Sequence, residues 1–228
     1  MTAPSAVAAV APYDLRGRRA LVTGGTRGVG RAIVVALADA GADVTTCYRD
    51  GTVDATTLAG HLVRAGGDHR VLRADVRRPA EVSRLVEECR SRYASLDILV
   101  NAVGVDRRVP FADITGEDWQ AALDTCVTGA FRVTRAALPL LSKGSSVVNV
   151  SATHRAAATE TATAALSGLT RALARELGPD GIRVNLVAAG PATPDGPDAA
   201  DVAAVVAFLA SDDAGFVTGQ TVPVGDPS

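Results

Sequence analysis

Arg19 to Ala38 reads RALVTGGTRGVGRAIVVALA, and this stretch decides the fold. Ala20 to Val22 is a short apolar run of the kind that forms a buried strand. Glycines follow at Gly24, Gly25, Gly28 and Gly30. Ile33, Val34 and Leu37 then recur at helical spacing, with Gly41 as the stop. A strand that turns through glycines into a helix presents unpaired backbone N–H groups and the positive end of a helix dipole at one point. A diphosphate fits there, because glycines carry no side chain to block its approach. The first gap is longer than in the GxGxxG fingerprint. A tight turn without a ligand is therefore the alternative that the rest of the chain must decide.

Working outward, strands and helices alternate. Further strands are expected over Asp43–Tyr48, Arg70–Ala74, Leu96–Val100, Ser146–Val150, Ile182–Val187 and Gln220–Val224. Helices are expected over Asp54–Ala65, from Pro79, over about Thr115–Leu141, over Glu160–Leu177 and over Asp201–Leu209. The strands are continuously apolar, which predicts an α/β fold. It should be a single Rossmann-like, doubly wound parallel sheet of about seven strands with helices on both faces. Ligands of such sheets bind at the carboxyl ends of the strands. Those ends are Gly24–Gly30, Tyr48–Arg49, Asp75–Val76, Asn101–Gly104, Ser151–His154 and Ala188–Thr193.

Composition narrows the function classes. A chain of 228 residues, 47% apolar and 21% charged, suits one domain with a full core. Residues 1–14 read as a disordered leader and 15–228 as the domain. The net charge of −2 argues against nucleic acid or an anionic membrane surface as partner. No stretch is long and apolar enough to span a membrane. Cys47, Cys89 and Cys126 form neither a zinc spacing nor a disulfide framework, which suits a reducing cytoplasm, and no metal site is expected.

Several segments together resemble the short-chain dehydrogenase/reductase family. TGGTRGVG (Thr23 to Gly30) is similar to its TGxxxGxG loop, Asp75-Val76 to its adenine-contacting pair, and ILVNAVG (Ile98 to Gly104) to its ILVNNAG strand. TGAFRVTRAALP (Thr128 to Pro139), ALARELGPDGIRVNLVAAG (Ala172 to Gly190) and FLASDDAGFVTGQTVPV (Phe208 to Val224) resemble its later signatures. The resemblance implies a nicotinamide dinucleotide, a small-molecule substrate and a homodimer or homotetramer. Cofactor contacts are implied for Gly24, Thr26, Arg27, Gly28, Val29, Gly30, Arg49, Asp75, Val76, Asn101, Ala102, Gly104 and Gly190. An arginine fork suits the extra phosphate of NADP. Tyr48-Arg49 after the second strand, with Arg27 able to converge on it, therefore favours NADP(H) over NAD(H), while Asp50 and Asp54 keep NAD(H) open.

The resemblance fails at the proton relay, which in the family joins a Tyr, a Lys four residues later, a Ser and an Asn. Counting along the motifs puts Thr159 at the Tyr, Thr163 at the Lys and Cys126 at the Asn. Ala152 falls at the Ser, with Ser151 or Thr153 one residue away. Tyr13, Tyr48 and Tyr93 are the only tyrosines and Lys143 the only lysine, so no YxxxK pair can be drawn. Against the family pattern the chain is several residues shorter between Ser151 and the following helix, and PATPDGPDAA between Gly190 and Asp201 replaces a longer lid, which implies a more open pocket. The remaining candidates for chemistry are His154, Thr153, Thr159 and Cys126, His154 being the one able to exchange protons near pH 7.

Three readings follow. The first is a redox-neutral step (cyclisation, dehydration or isomerisation) on a small ketone or polyketide-like substrate, with the dinucleotide bound without turnover. The second is an NADPH-dependent reductase using substitute groups. The third is a non-catalytic subunit in a hetero-oligomer with an active homologue.

Overall fold

The computed structural model describes residues 13–105, 109–152, 156–190 and 198–225. Residues 1–12 of the expected leader, Thr153, His154 and the 191–197 turn lie outside the described residues. Seven strands form one parallel sheet in the order β3-β2-β1-β4-β5-β6-β7. They are β1 (Arg19–Thr23), β2 (Asp43–Tyr48), β3 (Arg70–Arg73), β4 (Leu96–Asn101), β5 (Leu141–Ala152), β6 (Arg183–Ala189) and β7 (Thr221–Val224). Strand order reverses between β1 and β4, which opens a crevice at their carboxyl ends. Register keeps those ends level: Thr23 pairs with both Cys47 and Asn101, and Asn101 with Asn149.

Seven α-helices accompany the sheet among the described residues: α1 (Gly28–Asp39), α2 (Thr52–Ala65), α3 (Pro79–Tyr93), α4 (Gly116–Leu123), α5 (Gly129–Ala137), α6 (Ala157–Leu177) and α7 (Ala199–Ala210). On one face Ile33, Val34, Leu37 and Leu58 pack with Val202, Val206 and Leu209 over Val22, Val100 and Val148. On the other, Leu85, Val86, Val133 and Leu177 cover Leu21, Leu99 and Val147. Each such side chain fully removed from water stabilises the fold by about 1.5–3 kcal/mol, so burial on both faces explains the unbroken apolar runs of the strands.

Three expectations are corrected in detail. The helix expected over Thr115–Leu141 is interrupted: α4 passes through a π turn at Asp124–Thr128 into α5, and a 3-10 turn at Leu138–Leu140 carries Pro139, which cannot continue a helix. β5 is longer than Ser146–Val150, because Leu141 already pairs with Leu96 ahead of a register shift. Ala40, not Gly41, caps α1, and Gly41 follows it with φ +95°, the left-handed residue that turns the chain back. No described helix is long and apolar enough to cross a membrane.

Candidate functional site

The glycine loop is pinned from beneath. The N–H groups of Gly24 and Gly25 both donate to the Cys47 carbonyl on β2, at 3.0 and 3.2 Å. A Cβ on Gly25 would overlap Thr46 Oγ1, and one on Gly30 the carbonyl oxygen of Gly24, so these two glycines serve close packing. Gly28 differs. Its φ is +51°, and a Cβ there would meet no atom within 4 Å. It borders open space at the start of α1, which begins after Arg27 with no side-chain cap and no acidic residue in its first turn. The first-turn N–H groups and the dipole therefore offer an uncompensated anion cradle whose open side a side chain would fill. A dinucleotide diphosphate fits these residues. Thr26 and Val29 frame the cradle, Thr26 being buried.

At the ends of β2 and β3 the site is rich in arginine. Arg27, whose guanidinium lies by Gly51, pairs with Asp54 at 3.6 Å, and Arg49 pairs with Asp50 at 2.5 Å. A cavity of about 630 Å³ opens beside Arg49, lined also by Arg73, Asp75, Arg77, Glu81 and Arg84. Asp75 is nearly buried and its carboxylate is gripped by Arg77. Hydrogen bonds from that guanidinium hold the carboxyl below its usual range. Val76 is buried and sits against Gly129 of α5.

Beyond the crevice, Asn101 at the end of β4 donates to Thr134 Oγ1 and Asn149 Oδ1, both at 3.0 Å, and Asn149 donates to Thr170 Oγ1 at 2.9 Å. Ala102 N–H donates to Thr23 Oγ1 at 3.2 Å, and Gly190 N–H to the Val224 carbonyl at 2.8 Å. A Cβ on Gly104 would meet nothing, so the β4 loop is open there. At the end of β5, Ser151 Oγ lies 2.6 Å from Thr163 Oγ1 on α6, and Thr163 Oγ1 donates to the Thr159 carbonyl at 2.9 Å. Thr159 is buried, and its own hydroxyl donates to the Ala156 carbonyl at 3.0 Å.

Cys126 occupies the π turn, which packs against α6; burial pushes its thiol up, leaving it neutral and a weak nucleophile. The fold thus gathers Ser151, Thr163 and Thr159, with the Cys126 turn against the same helix. Tyr93 is buried on α3, bonded to Thr45 and the Asp68 carbonyl, and Lys143 lies near Gly181 at the amino-terminal end of β5. Neither belongs to the carboxyl edge. Sequence reasoning gave Ser151 only as a one-residue alternative and missed Arg77. The Asp-x-Arg spacing after β3 was the available signal, since it lets Arg77 N–H close a turn on Asp75 Oδ1 at 2.9 Å.

Comparison with known proteins adds names to this geometry. Residues 24–199 match the enoyl-(acyl carrier protein) reductase family model. The 3-oxoacyl-[acyl-carrier-protein] reductase of Staphylococcus aureus is 34% identical, over 91% of this chain and 96% of the relative. The enzyme of the same name from Escherichia coli is 32% identical, over 92% and 97%. A blue fluorescent protein from a metagenomic library, solved in complex with NADPH, superposes with a TM-score of 0.85 at 33% identity, over 92% of this chain and 97% of that one. A dehydrogenase/reductase from Sinorhizobium meliloti gives 0.88 at 30% identity, over 94% and 96%. These names overturn the expectation of a redox-neutral step: the relatives are reductases, and a solved neighbour holds the reduced dinucleotide. On the glycine cradle, the sheet order and these relatives, the chain belongs to the short-chain dehydrogenase/reductase family.

Proposed function

We propose that the protein is an NADPH-dependent reductase of a carbonyl substrate, using groups other than a Tyr–Lys pair for the proton. The observation that carries this reading is the open, uncapped cradle at Gly28, supported by relatives named as reductases. In it the loop from Gly24 to Gly30 holds the diphosphate, while Arg49 and Arg27 hold the 2′-phosphate. NADPH, when bound, supplies a hydride to the carbonyl carbon. The chain's part is to orient the carbonyl and see a proton to its oxygen, so that an alcohol and NADP⁺ result.

In this reading Ser151, at the carboxyl end of β5 beside Thr163, donates to the carbonyl oxygen. It does not supply the proton, because an aliphatic hydroxyl is far too weak an acid at neutral pH. In this reading His154, an imidazole able to exchange protons near pH 7, supplies it. Candidate 3-oxoacyl thioesters incubated with NADPH test the reading: loss of absorbance by NADPH in step with alcohol formation is expected, and product formed with no NADPH consumed contradicts it.

Self-association through α5 is part of the proposal. Phe131 and Leu138, 45% and 37% exposed on or just after it, would give a second copy an apolar seam to cover. Light scattering that reads a monomer at micromolar concentration contradicts this part.

A further inference from the structure

The guanidiniums around the ends of β2 and β3 are mostly answered by carboxylates. Arg27 pairs with Asp54 at 3.6 Å, Arg49 with Asp50 at 2.5 Å, Arg77 with Asp75 at 2.6 Å and Arg78 with Glu81 at 3.7 Å. Arg73 is different. Its Nε donates to the Arg49 carbonyl at 3.1 Å, and neither Nη group has a partner among the described residues. A carbonyl oxygen accepts a hydrogen bond without cancelling the charge. Arg73 therefore keeps a whole cation in the wall of the cavity that it shares with Arg49.

Strand register places it there. β3 runs parallel to β2 with Arg73 opposite Tyr48, the last pair of the ladder, and Ala74 N–H donates to the Tyr48 carbonyl at 2.9 Å. The Arg73 side chain adds one more bond past the backbone ladder, to the carbonyl of the next residue along. A guanidinium tied down at Nε has already given up part of its rotamer freedom, and its Nη edge is the part of the planar fork left for a ligand.

In an open parallel sheet the adenine ribose of a dinucleotide lies at the end of the second strand. In NADPH that ribose carries a phosphate with a charge of about −1.5 to −2 at neutral pH. In NADH it carries a hydroxyl. Arg49 and Arg27 meet the phosphate with carboxylates at their sides, Asp50 and Asp54, which repel it. Arg73 brings no acid with it. Charge-assisted bonds from its Nη edge are gained with the phosphate and not with the hydroxyl.

We infer that Arg73, reaching over from β3, is a ligand of the 2′-phosphate and sets the choice of NADP(H) over NAD(H) jointly with Arg49. The inference rests on the NADPH reading above and adds a specificity-determining residue to it.

Fluorescence titrations of the full chain with NADPH and with NADH test it in three proteins. They are the wild type, Arg73→Met, which keeps the aliphatic stem, and Arg70→Met, which removes an equal charge from the other end of the same strand. Arg73→Met should weaken NADPH by about tenfold to a hundredfold while NADH stays level, and Arg70→Met should move neither. Displacement by adenosine 2′,5′-bisphosphate and by AMP repeats the comparison without the nicotinamide; only the bisphosphate should lose affinity in Arg73→Met. Arg73→Gln, which can keep a donor on the Arg49 carbonyl, should show the same selective loss and serves where Arg73→Met fails to fold. NADPH affinity that is unchanged in the Arg73 variants, lost in step with NADH, or lost equally in Arg70→Met overturns the inference and leaves the NADPH reading standing. If neither dinucleotide binds the wild type, the NADPH reading itself falls and the inference with it.

Discussion

Ser151 donates its proton to Thr163. The two hydroxyl oxygens are 2.6 Å apart, and Thr163 has one proton, which goes to the Thr159 carbonyl. The proton of the shared contact must therefore come from Ser151. For Ser151 to turn to a substrate carbonyl, Thr163 has to swing its proton from the Thr159 carbonyl onto Ser151, so that the pair reverses together.

That coupling predicts a non-additive pair. Ser151→Ala and Thr163→Val are each expected to lower kcat for NADPH-dependent reduction by roughly tenfold or more, as loss of a carbonyl-oriented donor does. The double variant should be no worse than either single one. Steady-state kinetics on the four proteins check it; effects that multiply contradict a joint role.

Arg49 is expected to set the preference between dinucleotides. Replacing it by Glu removes a charge-assisted contact worth about 1.5–3 kcal/mol and adds repulsion. The Kd for NADPH should rise roughly tenfold to a hundredfold while that for NADH stays level or falls. Calorimetric titration measures both, and equal losses for the two would remove Arg49 from the phosphate site.

The chain Thr134–Asn101–Asn149–Thr170 crosses the core from α5 to α6 through two strands. All four residues are buried, and the Asn101 Oδ1 has no partner among the described residues. Asn101→Ala strands Asn149 Oδ1 and is expected to cost about 1–3 kcal/mol of stability, read as a lower urea midpoint with unchanged slope. A variant as stable as the parent contradicts the structural role of this network.

The fold was legible where chemistry and spacing coincide, and obscure where packing decides. Gly24 to Gly30 could be read as a cradle because few arrangements put glycines between an apolar strand and an apolar-periodic helix. The break in the helix after Leu123 could not, because nothing in Asp124 to Thr128 forbids an ordinary helical turn. Arg77 was hidden for the opposite reason. In a sequence with one lysine and abundant arginine, an arginine two residues past an aspartate looks like a solvated surface charge. Only the closed turn at Asp75 shows that it is committed.

Alkaline instability is expected from the buried thiols. Burial pushes Cys47 up to about 11 and Cys89 up to about 12, from an ordinary 9.0. The unfolded chain ionises these groups near pH 9 and the folded one does not, so their contribution is whole below that pH. It is lost as pH climbs toward 11–12, at up to about 1.4 kcal/mol per unit per thiol. Tyr93, also pushed up by burial, adds to the same fall. Urea midpoints should be flat from pH 7 to about 8.5 and drop by about 10.5, with the drop reduced in Cys47→Ala/Cys89→Ala. A midpoint that does not move contradicts the burial of these groups.

The central claim is tested most directly by the stoichiometry of NADPH oxidised to carbonyl reduced, measured side by side in the wild type and in Gly28→Asp. The account predicts one NADPH per alcohol in the wild type. In the variant, where a carboxylate fills the cradle and the backbone is strained at φ +51°, both NADPH binding and turnover should be lost while the fold is kept. Reduction that proceeds undiminished in Gly28→Asp, or product that accumulates while NADPH remains intact, would contradict it.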